Sequence, residues 1–115
     1  MNAFLNIFKA LSDENRLRIL LMLKQRPLCV CEMHEVLLIA LSTISAHLKL
    51  MKNTGLITDE KDGRWVIYRL SENIFLHELL GKLEKELQSD PTVQNDKAII
   101  SRITREVCSA RLKHQ

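Results

Sequence analysis

The stretch Ser42-Thr-Ile-Ser-Ala-His-Leu-Lys-Leu-Met-Lys-Asn53, followed by Thr54-Gly55, decides the fold of this 115-residue chain. Ile44, Leu48 and Met51 recur in it at helical spacing, which predicts a helix with one buried face. Gly55 suits the left-handed backbone position just beyond a helix end. The polar residues of the stretch would then lie on the exposed face of this helix.

A predicted β-hairpin follows this helix, and a short helix precedes it. Two runs rich in β-branched and aromatic residues, 56–61 and 65–70, flank an Asp-Gly pair that is a strong hairpin signal. Upstream, we predict a helix over 32–38 and a brief turn over 39–41. Two helices joined by a tight turn and followed by a hairpin form a winged helix-turn-helix.

The rest of the chain predicts further helices over 4–11, over 17–23 before Pro27, from Ser71 or Asn73 to 88, and over 96–112. We therefore predict a single domain, 1–115, that is mainly α with a β-hairpin. The terminal helices, taken as 3–11 and 92–112, carry apolar stripes that the winged unit does not absorb. We expect them to form a dimer interface, the alternative being that they pack on their own core.

Composition limits the classes of function. Charged residues make up 27% of the chain and aromatic residues 4%, so an aromatic platform for stacking bases is not expected. The net charge of +3 permits nucleic-acid binding. No membrane-spanning run or signal peptide is evident, so we expect no membrane association. Three cysteines, an odd number, favour a reducing cytoplasm and reactive or metal-binding thiols.

A family resemblance rests on four motifs, namely Leu28-Cys-Val-Cys-Glu-Met33, Ser45-Ala-His-Leu-Lys-Leu50, Gly55-Leu-Ile57 and Gly63-Arg-Trp-Val-Ile-Tyr-Arg-Leu70. They resemble the ArsR/SmtB family of metal-responsive repressors, and the Cys-Val-Cys element resembles its arsenite-responsive branch. The resemblance implies a homodimer that represses its own operon. It also implies that arsenite or antimonite, As(III) or Sb(III), is the inducer that releases the operator.

The predicted DNA-reading surface comprises the polar face of the fourth helix and the tip of the hairpin. Hydroxyl and imidazole groups can reach base edges or phosphates of double-stranded operator DNA, whereas lysines mostly meet phosphate. No cofactor is expected for this binding. The alternative is a solvated polar face. Family members commonly carry polar residues at Ala40 and Leu41, so we expect Ser42 to cap this helix instead. The candidate residues are Ser42, Thr43, Ser45, His47, Lys49, Lys52, Lys61 and Arg64.

Cys29 and Cys31 are the candidate inducer ligands. Residues two apart point to opposite sides of a helix, so both thiols can bind one ion only if they straddle the start of the third helix. Pro27 keeps the upstream chain non-helical and favours this arrangement. Cys31, at the helix start, is expected to ionise more readily. Two thiolates favour soft ions, and closing them around one ion would strain the DNA-reading unit.

The third ligand is left open between His34 and Cys108. His34 lies three residues after Cys31, hence on the same helix face, and takes the position at which the family often has a further cysteine. Cys108 could complete the site from either subunit, or be a small buried residue. His77 and His114 are expected in solvent.

Other functions stay possible on the same fold. An imidazole beside two thiolates would also suit zinc or cadmium as the inducer. Cys29 and Cys31 could instead sense oxidants or persulfides, or be incidental to a constitutive repressor. An enzyme is not expected, because we find no base beside a nucleophile, no Gly-rich phosphate loop and no acid pair.

Overall fold

The computed structural model describes residues 1–113, so that His114 lies outside the described part. The elements, in chain order, are α1 (Asn2–Leu11), α2 (Glu14–Gln25), β1 (Leu28–Cys29), α3 (Val30–Leu37), α4 (Leu41–Asn53), β2 (Ile57–Asp62), β3 (Trp65–Leu70), α5 (Ile74–Glu86), α6 (Pro91–Arg102) and α7 (Arg105–Lys113). This order confirms the predicted winged helix-turn-helix, with α3 and α4 as its two helices and β2–β3 as its wing.

The turn between α3 and α4 sets the orientation of the predicted recognition helix. The two helix axes differ by 119°, close to the upper end of the range usual for this motif. Leu38 makes the turn in the left-handed conformation, with φ 54°, and its side chain is 77% exposed. The expectation that Ser42 caps α4 is wrong: Ala40 is the N-cap and offers no side-chain acceptor.

The wing belongs to a three-stranded antiparallel sheet in the order β1-β3-β2. Asp62 pairs with Trp65, so the hairpin turn consists of Gly63, with φ 63°, and Arg64. On its other edge β3 pairs with the two-residue strand β1, which places Cys29 opposite Ile67. The sequence analysis missed β1 because two residues are too few to show a strand periodicity.

One apolar core joins the helices to the sheet. The predicted buried face of α4, Ile44, Leu48 and Met51, lies in this core, and α4 packs against α3 and β2. Asp13 caps α2 as predicted, since its carboxylate accepts a hydrogen bond from the Arg16 N–H at 3.0 Å. No single helix among residues 1–113 is long and apolar enough to cross a membrane, although α3 and α4 taken together reach that length and apolarity.

The C-terminal region differs from the single long helix predicted. Residues 91–113 form two helices because the chain is extended at Ile103 and restarts at Thr104, whose hydroxyl accepts the Val107 N–H. Asp96 of α6 binds Arg18 of α2 through two hydrogen bonds of 2.9 Å. Ile99 and Ile103, in the predicted apolar stripe, are partly buried and pack on the chain's own core.

An exposed apolar patch lies on α1 and the start of α5. The Phe4 and Phe75 rings meet edge to face with centroids 5.0 Å apart, and Phe8 approaches Phe75 at 6.3 Å. Leu5 and Ile74 extend the patch, and all five side chains are exposed. Among residues 1–113, the exposed apolar patch therefore lies on α1 and α5, and not mainly on α6 or α7.

Candidate thiol site and DNA-binding surface

Cys29 and Cys31 lie on either side of the start of α3. Cys29 ends β1 and is the N-cap residue of α3, while Cys31 lies inside the first turn, since the helix begins at Val30 and not at Glu32 as predicted. This placement brings the two Sγ atoms to 2.8 Å. Both side chains are buried.

A buried ion pair holds the backbone of this segment. The Glu32 carboxylate, with the residue 3% exposed, accepts the Cys29 N–H at 3.0 Å and pairs with Arg26 at 2.7 Å. Arg26 also donates to the carbonyl oxygens of Ile100 and Ile103 at the end of α6. The sequence analysis missed both residues. The capping-box spacing of Glu32 after Cys29 was a usable signal, whereas nothing in the sequence indicated Arg26.

The third thiol, that of Cys108, comes from α7 of the same chain. Cys29, Cys31 and Cys108 form one buried cluster with Ile67, surrounded by Trp65, Ile103 and Leu112. His34, the other candidate third ligand, is only partly buried in the second turn of α3 and is not a member of this cluster.

Burial favours the protonated form of two of these thiols. Removal from water raises the pKa of Cys29 well above its ordinary range, and the hydrogen bond with Cys31 adds to the effect. Burial, together with the nearby Cys31 and Glu32, raises the pKa of Cys108 to about 11. At neutral pH a ligand therefore meets neutral thiols at these two positions.

The three thiols belong to one buried cluster without forming a ready ion site. Within residues 1–113, no three His, Cys, Asp or Glu side chains are arranged to hold a metal ion. Two sulfur atoms that bind one zinc ion at about 2.3 Å, at the tetrahedral angle, lie about 3.8 Å apart. The observed 2.8 Å is about 1 Å shorter, so that ligation of one ion by Cys29 and Cys31 requires the two sulfur atoms to move apart.

The outer face of α4 exposes five of its predicted DNA-reading residues. Four of them are Ser42, Thr43, Ser45 and Lys49. Lys52 is also exposed, but its ammonium binds the Asp59 carboxylate at 2.9 Å, which raises the pKa of Lys52. A phosphate would have to compete with Asp59 for this lysine.

His47 does not point outward as expected. Its side chain is only 13% exposed, with Nδ1 3.4 Å from Arg16 and Nε2 3.8 Å from Asp13. Arg16 also donates to the carbonyl oxygens of Lys9 and Ala10, so this imidazole connects α4 to the junction of α1 and α2. The helical period placed His47 at the edge of the polar face, and only the packing of α2 shows that it is turned inward.

The tip of the wing carries the remaining candidates. Lys61 and Arg64 are both exposed. The Arg64 guanidinium stacks on Trp65 at 4.5 Å from the ring centroid, and Arg105 of α7 lies over the same indole at 4.7 Å. The orientation of Arg64 therefore depends on Trp65.

Comparison with known proteins gives concordant matches. The model of the bacterial regulatory proteins of the arsR family matches residues 13–59. The arsenical resistance operon repressor of Bacillus subtilis is 41% identical over 81 residues, which cover 70% of this chain and 73% of the relative. The arsenical resistance operon repressor of Escherichia coli is 45% identical over 71 residues, 61% of each chain.

Among solved structures, a homodimeric winged helix-turn-helix DNA-binding domain from Mycobacterium bovis is similar, with a TM-score of 0.65 and 25% identity. The match covers 76% of this chain and 80% of that domain.

Proposed function

Since the chain belongs to the ArsR family of bacterial regulatory proteins, we propose that it is a homodimeric repressor released from operator DNA by arsenite or antimonite. The inducer would bind Cys29, Cys31 and Cys108. The observation that carries this proposal is the burial of these three thiols in one cluster, contributed by β1, α3 and α7.

The donor set favours a trivalent, sulfur-seeking ion over zinc. Trivalent arsenic and antimony form three bonds to sulfur, which equals the number of thiols in the cluster. Zinc takes four protein ligands in structural sites, and here a fourth is lacking among the described residues because Glu32 is engaged by Arg26 and by the Cys29 N–H. Cys108 is therefore a better third ligand than His34.

The thiol site adjoins the DNA-reading unit. Cys31 lies in the first turn of α3, and α3 packs directly against α4. Separation of the two sulfur atoms by about 1 Å, as ligation of one ion requires, would disturb the start of the helix that supports α4. A coupling of about 2.7 kcal/mol between the sites would weaken operator binding about 100-fold.

Operator recognition is assigned to α4 and the wing. The hydroxyls of Ser42, Thr43 and Ser45 are exposed on one face of α4, where they can reach base edges or phosphates. Lys49 on α4 and Arg64 on the wing would bind the phosphate backbone.

Dimerisation is assigned to the aromatic patch on α1 and α5. Phe4, Phe8 and Phe75 stay exposed beside each other in the monomer, and a second copy of the same patch would cover them. A two-fold dimer presents two recognition helices, which matches a palindromic operator.

The test is an operator-release titration with arsenite, antimonite, zinc, cadmium and peroxide in parallel. The duplex is first selected from random DNA by the purified chain. We expect release by arsenite and antimonite, with Cys31→Ser and Cys108→Ser each abolishing release and leaving operator affinity within about twofold. Ser101→Ala, on the exposed side of α6, is the matched control.

Two outcomes would contradict the proposal. Release by peroxide without release by arsenite would identify an oxidant sensor. Full arsenite release from the Cys31→Ser variant would make the cysteines incidental. The combined Thr43→Ala and Ser45→Ala variant should bind operator more weakly and arsenite normally, and an unchanged gel shift would refute the assignment of α4.

A further inference from the structure

We infer that α7 transmits ligand binding at the thiols to the wing, with Ser109 and Arg105 as the residues that position the wing. This inference rests on the proposed function, because it assigns the route by which inducer binding reaches the DNA. It concerns residues that are neither thiol ligands nor members of the DNA-reading surface.

Ser109 connects the thiol cluster to the first residue of β3. The Trp65 indole N–H donates to the Ser109 hydroxyl at 2.7 Å. The same hydroxyl lies 3.5 Å from Cys31 Sγ, and Ser109 directly follows Cys108 in α7. A movement of Cys108 toward the other two thiols would therefore displace the acceptor of the indole N–H.

Arg105 holds the same end of the wing at a second point. Its guanidinium binds the carboxylate of Asp62, the last residue of β2, at 2.8 Å and covers the Trp65 ring. Its carbonyl oxygen lies 3.7 Å from Cys31 Sγ. Asp62 and Trp65 are paired across the hairpin, so α7 contacts both β2 and β3 next to the turn that carries Arg64.

The helix that makes these contacts is separated from α6 by a break in the helical backbone. The chain is non-helical at residues 103 and 104, while Arg26 holds the end of α6 through the carbonyl oxygens of Ile100 and Ile103. Beyond Thr104, Arg111 of α7 forms an ion pair with Glu35 of α3, the helix that carries Cys31. Rearrangement at α3 would thus reach α7 through direct contacts between the two helices.

The contacts from α7 would hold the wing in place in the ligand-free protein, and ligand binding would release it. The Trp65 ring contacts both the Arg105 guanidinium of α7 and the Arg64 guanidinium of the wing, which restricts the orientation of Arg64. Ligation of Cys31 and Cys108 would alter the spacing of Ser109 and Arg105 relative to Trp65 and free the wing. Operator affinity would then fall because the wing must be ordered again on binding.

The Ser109→Ala variant tests this route. Loss of one hydrogen bond of ordinary net strength corresponds to a factor of about five. Without arsenite, we expect operator affinity to fall about fivefold; with arsenite, it should equal that of the wild type. Arsenite should bind the free variant more tightly, because no hydrogen bond has to be broken, and by reciprocity the factor by which operator weakens arsenite binding should be about fivefold smaller.

The controls separate this role from a general loss of stability. Ser109→Thr retains the hydroxyl and should restore wild-type behaviour, and Ser101→Ala should have no effect. Arg105→Gln should shift both affinities in the same directions as Ser109→Ala, with Arg102→Gln on α6 as its matched control. Trp65, the only tryptophan of the chain, should change its fluorescence when arsenite binds the wild type, and less so in the Ser109→Ala variant.

The results distinguish failure of the route through α7 from failure of the proposed function. If the wild type releases operator with arsenite and Ser109→Ala shows the same ratio of affinities, the route through α7 is refuted while the proposed function stands. If the wild type binds arsenite without releasing operator, both are refuted. Weaker arsenite binding by Ser109→Ala would also overturn the inference, since it indicates damage to the site.

Discussion

A change of pH from 6 to 8 should separate arsenite from divalent ions as ligands of the thiol cluster. Arsenous acid is uncharged near neutral pH and reacts with three thiols to give three As–S bonds and three water molecules, so no proton is released. A divalent ion binds thiolates and must displace one proton for each thiol that is protonated beforehand. The protonation state of the buried thiols therefore sets the pH dependence of each ligand.

The expected magnitude follows from the environment of Cys29 and Cys108. Burial raises the pKa of both thiols, to about 11 for Cys108, so both remain protonated throughout this pH range. Cadmium would displace at least two protons, and its Kd should fall about 100-fold per pH unit, or about 10,000-fold from pH 6 to 8. Arsenite bonding to Cys29 and Cys108 releases no net proton, so these two thiols add no pH dependence to the Kd for arsenite over the same range.

Competition titrations followed by thiolate-to-metal absorbance would measure both dependences. In Cys108→Ala the cadmium dependence should drop by about tenfold per pH unit, since one protonated thiol is removed. A cadmium Kd that stays constant from pH 6 to 8 would refute the reasoning, because it would mean that Cys29 and Cys108 are already ionised at neutral pH.

Three further predictions concern stability and assembly. Asp96→Asn should lower the free energy of unfolding by roughly 3 kcal/mol in urea denaturation, because it leaves the partly buried Arg18 without its carboxylate. Asp96→Leu combined with Arg18→Met should recover most of this loss, and a double variant as unstable as Asp96→Asn would contradict the ion-pair explanation. Phe8→Glu should convert the dimer to monomer in sedimentation velocity, because it places a charge in the aromatic patch; a dimer that persists would locate the interface elsewhere. Burial raises the pKa of Cys108 from an ordinary 9.0 in the unfolded chain to about 11 in the folded protein. The stability that the protonated thiol contributes is therefore complete below pH 9 and is lost as the pH rises to 11. The loss should be about 2 to 3 kcal/mol in thermal or urea unfolding and absent in Cys108→Ala, and equal alkaline losses in both proteins would contradict it.

The sequence determined those parts of the protein that depend on local spacing. The period of Ile44, Leu48 and Met51 indicated the buried face of α4, and the turn signal before Arg64 indicated the wing. The two-residue spacing of Cys29 and Cys31 showed that the thiols must straddle a helix start. These features are local because helix and hairpin geometry repeat over a few residues.

Only the tertiary structure decided which distant groups meet. The pairing of β1 with β3, the hydroxyl cap at Thr104 and the packing of α7 bring Cys108 to Cys29 and Cys31, although more than 70 residues separate them. The same packing turns His47 inward and leaves His34 outside the thiol cluster. Periodicity shows which face of a helix is apolar, whereas its partner is selected by the packing of the whole core. The third thiol and its connection to the wing were therefore decided by the fold.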